Sequence, residues 1–173
     1  FQKRPSYMAL ADLPLDELVI ALKDPTTKAA ILSEADDPPD PAVLFDGIGA
    51  FLLAMADDLY VMGDPPDYEP TRDTSIGGMA EATGRDVQDL IYDRLPDDDG
   101  QGFLMLPLFN YSHRDHEAIR EQLLHPAAVL GLGDGGAHCG MICDASLPTA
   151  ALTHWARDRS RGDKLPLEWL IKK

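Results

Sequence analysis

"VLGLGDGGAHCGMICDAS", residues 129–146, decides how this chain is read. An apolar run closes in glycines, and a lone carboxylate, Asp134, sits among them. His138, Cys139 and Cys143 follow. Three chemistries use such residues. They are a phosphate cradle, a metal site, and a turn aspartate that holds backbone N–H groups behind a buried strand.

The phosphate reading fails on context. Gly131, Gly133 and Gly136 match G-x-G-x-x-G, and Asp158 stands about 20 residues on, as a dinucleotide fold requires. Asp134 places negative charge in the very loop that would meet a pyrophosphate. Residues 137–140 open no helical pattern, and Asp158 falls within a helical one. The spacing is a decoy. The zinc-knuckle reading lacks ligands: His138, Cys139 and Cys143 have no second pair to complete a four-ligand site. Their thiols read as buried or half-buried groups in a loop. There remains Asp134 at the end of a buried strand, with glycines leaving room beside it. A carboxylate there suits proton transfer from a metal-bound water.

Working outward, "GFLMLPLFNY" (102–111) and "AAVLGLGD" (127–134) are apolar runs without polar alternation. "SHRDHEAIREQLLHP" (112–126) and "LPTAALTHWARDRSRG" (147–162) are amphipathic. Ser112 is the expected N-cap of the first, and a basic end suits the dipole of the second. Strand, helix, strand, helix with bare apolar strands predicts a parallel sheet covered by helices. Sites in such folds lie at the C-terminal ends of strands, here Asn110 and Asp134. Upstream, Leu15, Leu18, Val19 and Leu22 recur at helical spacing. A second helix follows, with Thr27 as its expected N-cap. "ADDPPDP" (35–41) is an acidic, proline-rich linker. "LYVMG" (59–63) is a candidate short strand. Ser75 and Gly84 bound a helix, and residues 86–95 form another.

Lys and Arg total 15 against 30 for Asp and Glu, a formal charge of −15 in 173 residues. Such a surface repels phosphate backbones and anionic bilayers, so neither nucleic acid nor membrane is an expected partner. Two cysteines are too few for a disulfide framework. A reducing compartment, the cytoplasm, is the expectation. His113 and His116 flank Asp115 and read as a solvated first turn. His154, beside Trp155, reads as a packing histidine. Ser146 has no G-x-S-x-G elbow and no case as a nucleophile.

The block "GLGDGGAHCGMICDASLPTAALTHWARDRSRG" (131–162) resembles the C-terminal barrel segment of the amidohydrolase superfamily, in its D-aminoacylase (N-acyl-D-amino-acid deacylase) branch. "RPSY" (4–7), "GDPPDYEP" (63–70), "LPLFNY" (106–111) and "LPLEW" (165–169) resemble that branch too. The resemblance implies a metal-dependent (β/α)₈ TIM barrel, here partial. Residues 103–109 would be its seventh strand and 130–132 its eighth. It implies that Asp134 is a zinc ligand and general acid/base, with His138 close to the site; Asn110, at the end of the other apolar run, is expected near the substrate as well. It also implies that residues 1–62 are a helical lid or insertion, with helices over 8–34, and that 63–173 are the last β/α units. The substrate would be a small N-acyl amino acid.

The departures are specific. The family needs a His-x-His, a bridging Cys, Glu or carboxylated Lys, and two further histidines, and no His-x-His occurs in this sequence. A catalytic zinc normally has three or more protein ligands. The expectation is a barrel fragment that, alone, neither binds zinc tightly nor turns over substrate. The rest of the barrel, or further copies of the chain, would be its partner. The alternative is a non-catalytic α/β interaction protein that oligomerises to cover open sheet edges.

Overall fold

The computed structural model describes residues 1–43, 46–131, 133 and 144–173. By compactness these divide into two units, Phe1–Leu108 and Phe109–Lys173. The resemblance instead draws its boundary between residues 62 and 63. Among the described residues the chain is α/β in content, mostly helical with a two-stranded sheet.

The first unit holds α1 (Pro5–Met8), α2 (Leu15–Leu22), α3 (Pro25–Ser33), α4 (Ile48–Ala54), β1 (Tyr60–Met62), α5 (Ile76–Thr83), α6 (Val87–Arg94) and β2 (Phe103–Met105). The pattern that predicts α2 buries Val19 and Leu22. Leu22, Ile31 and Tyr92 form the core, with Phe1, Tyr7 and Leu18 packed against them. Tyr92 donates its hydroxyl to the Leu22 carbonyl at 3.1 Å, so its one polar atom is satisfied inside that core.

Helix starts follow local chemistry. Ser75 caps α5 through Gly78 N–H at 3.0 Å, and Gly84 closes it in the left-handed region at φ 69°, both as expected. The cap of α3 is a correction. Asp24, not Thr27, accepts the capping bond, from Thr27 N–H at 2.8 Å. Pro25 then takes the first helical position, where its missing N–H costs nothing.

The sheet corrects a second expectation. β1 and β2 pair antiparallel, with Tyr60 opposite Met105, Val61 opposite Leu104 and Met62 opposite Phe103. "LYVMG" therefore does form a strand. The 103–109 run yields only three strand residues, because Pro107 has no N–H for a ladder. Its partner runs the opposite way, and no parallel pairing occurs among the described residues. The turn before β2 is tight: Asp98, Asp99 and Gly100 have φ of 48°, 50° and 81°. Gly100 is needed there, since a Cβ would lie 2.8 Å from Val19 Cγ2.

The second unit holds α7 (Glu117–Leu124), α8 (Leu147–Ala150), a π-helical run Ala151–Asp158 that continues α8, and α9 (Leu167–Lys172). α7 starts later than expected, with His116 rather than Ser112 at its N-cap. The carboxylate of Asp115 accepts from Glu117 N–H at 3.0 Å and supplies the local bond that Ser112 was expected to give. Leu130 and Gly131 are not in a strand, and Leu132 lies outside the described residues. A strand needs a neighbour for its backbone groups, and the described residues offer this segment none. Leu130 instead packs against the core of Trp155, Leu165 and Leu170, with Ile119 and Leu123.

Candidate functional site

The second unit brings two histidines together. His116 stands at the N-terminus of α7, and His154 lies in the π-helical run. His116 Nδ1 and His154 Nε2 are 3.3 Å apart. The segment around His154 is wound loosely: Arg159 N–H donates to the His154 carbonyl at 2.9 Å, an i+5 bond. Such turns project side chains off the regular helical positions and concentrate at functional sites.

Aromatic rings fix both imidazoles. Tyr111 meets His116 edge-on with centroids 5.1 Å apart, and Trp155 meets His154 edge-on at 5.2 Å. Both histidines are half-buried, while Tyr111 and Trp155 are buried. Beneath the pair, Arg159 lies over the Trp155 ring at 4.9 Å. Its Nη2 donates to Glu117 Oε1 at 2.7 Å and its Nη1 to the Asp163 carbonyl at 2.9 Å. Glu117 begins α7 and Arg159 directly follows the π-helical run. This ion pair therefore ties together the two elements that carry the histidines.

The chemistry of the pair follows from its geometry. A neutral imidazole has one N–H and one lone pair, so facing nitrogens at this distance share one proton. Either ring can pass it on, or both can turn lone pairs toward one cation after a tautomer shift.

Asp134, His138, Cys139 and Cys143 lie outside the described residues. Asn110 is exposed, with its backbone in the left-handed region at φ 58°, where Asn is tolerated. Asp158, read from sequence as part of a decoy dinucleotide spacing, is the last residue of the π-helical run. Its carboxylate accepts from Arg157 Nε at 2.6 Å and Nη2 at 2.8 Å, and that guanidinium holds it below the usual carboxylate range. His154 does pack on Trp155, as expected, yet it also faces His116. His116 is not a solvated first-turn residue. Sequence carried only a faint signal of the pairing: two histidines beside aromatic or amphipathic segments of one unit.

No family model, curated protein or solved structure matches this chain.

Proposed function

We propose that this chain is part of a metal-dependent hydrolase, the C-terminal β/α units of a (β/α)₈ barrel of the amidohydrolase kind. The particular reaction in this reading is hydrolysis of an N-acyl D-amino acid to the free amino acid and a carboxylate. The observation that carries it is the Asp134-Gly-Gly-Ala-His138 block, followed by "THWARDR" at 153–159, with its resemblance to the D-aminoacylase branch. The helical run from Leu147 to Asp158 follows that block as a barrel helix follows its strand.

In this reading Asp134 accepts a proton from the attacking water and hands it to the leaving amine. The zinc of that family activates the water by lowering its pKa. The present residues do not supply the ligand set for that zinc, since the His-x-His is missing from the sequence. The test is hydrolysis of N-acyl D- and L-amino acids by the complete product of the gene. Release of free D-amino acid, faster than of its L-isomer, supports the reading. Turnover of neither overturns it.

The interaction reading has its own support. The β1–β2 ribbon has three residues per strand, and Val61 and Phe103 are 43% and 71% exposed on it. A two-stranded ribbon is marginal alone. The rest of a barrel, or another copy of the chain, would cover it.

A further inference from the structure

We infer that His116 and His154 form a two-histidine clamp for a borderline divalent transition metal, of which Zn²⁺ is the test case. This inference does not rest on Asp134, and it stands or falls apart from the hydrolase reading.

Distance is the first argument. Zinc sits about 2.0–2.1 Å from an imidazole nitrogen, so two ligating nitrogens 3.3 Å apart subtend roughly 104–111° at the ion. That is close to the tetrahedral angle zinc prefers. The second argument is ligand type. Imidazole suits zinc, copper and nickel, whereas calcium and magnesium want oxygen. The third is support. Tyr111 and Trp155 hold the ring planes, and the Arg159–Glu117 pair fastens the two elements together, so little ordering remains at binding. A proton must move as well: the ring that donates between Nδ1 and Nε2 shifts its hydrogen to its other nitrogen. Two ligands make a weaker site than the three or four of catalytic and structural zinc.

The test uses the whole 173-residue chain, labelled with ¹⁵N and titrated with Zn²⁺ alone above pH ~7, where free imidazole is neutral. The ring signals of His116 Nδ1 and His154 Nε2 move together and saturate before those of His113 and His125. This readout needs no variant and so no question of misfolding. As a second measurement, His116→Ala and His154→Ala each weaken zinc binding by more than roughly tenfold, the least that losing even an outer-shell partner costs at many sites. His113→Ala and His125→Ala leave it unchanged. Zinc captured instead at His138, Cys139 and Cys143 overturns the proposal. So does an affinity that neither His116→Ala nor His154→Ala changes.

Discussion

Arg159 presents no side-chain surface to solvent, yet its guanidinium meets a Glu117 carboxylate that is 47% exposed, at 2.7 Å. The buried partner is the one that cannot shed its charge. Loss of Glu117 therefore matters less for the bond it removes than for the cation it strands. Gly162 guards this contact: its φ is +112°, and a Cβ there would lie 2.4 Å from Glu117 Oε1 and 2.6 Å from Arg159 Nη2. Gly162→Ala should cost about 1–3 kcal/mol through strain and a broken ion pair. Thermal unfolding of Gly162→Ala, Glu117→Ala and the double variant checks this. A double loss smaller than the sum of the singles is expected, and strict additivity would argue against the coupling.

The core of the first unit offers a packing test. Ile31 is fully buried between Leu22 and Tyr92. Ile31→Ala should cost about 2–5 kcal/mol by leaving a cavity. Tyr92→Phe removes only the bond to the Leu22 carbonyl and should cost about 0.5–1.5 kcal/mol. Denaturant melts rank the two, and the reverse order would contradict the packing described.

Acid should loosen the same unit. Lys28 Nζ lies 2.6 Å from Asp89 Oδ1, linking α3 to α6. This bond, with a second from Arg85, holds the Asp89 carboxyl below the usual range. A carboxylate depressed in the folded state adds stability above its unfolded pKa of about 3.9, and that stability is lost as pH falls through the lower folded value. The midpoint of thermal unfolding should therefore drop below pH ~4. In Asp89→Asn the drop should be shallower. Parallel pH curves for the two proteins would remove Asp89 from the account.

In the hydrolase reading, the 173-residue chain by itself should release no amino acid from N-acyl substrates, with or without added zinc, because its sequence has no His-x-His to help hold that zinc. A ninhydrin or coupled oxidase assay on the pure chain measures this. Zinc-dependent turnover by the chain alone would contradict the incomplete ligand set.

What the sequence made legible was local. Ser75, Gly84 and the α2 pattern act within a turn or two of themselves, and each element formed where those residues put it. Thr27 misled because Asp24 close by made the capping bond instead, and Ser112 because α7 begins only after His116, where Asp115 bonds the Glu117 N–H. Strand partners were not legible. The apolar run at 103–109 says that a strand wants burial, not whether its neighbour runs parallel, and β1 supplied an antiparallel one. The His116–His154 pairing depends on a π-helical run and on residues 38 apart in the chain, so no local rule points to it. Asp134 and His138, on which the hydrolase reading turns, lie outside the described residues.

In the proposed hydrolase reading, Asp134 is the acid/base and a zinc ligand. The direct measurement is kcat and bound zinc for the complete gene product and its Asp134→Asn variant, acting on an N-acyl D-amino acid. Loss of a positioned acid/base should lower kcat by about 10²–10⁴, with zinc content falling as well. Equal rates and equal zinc in the two proteins would contradict the account.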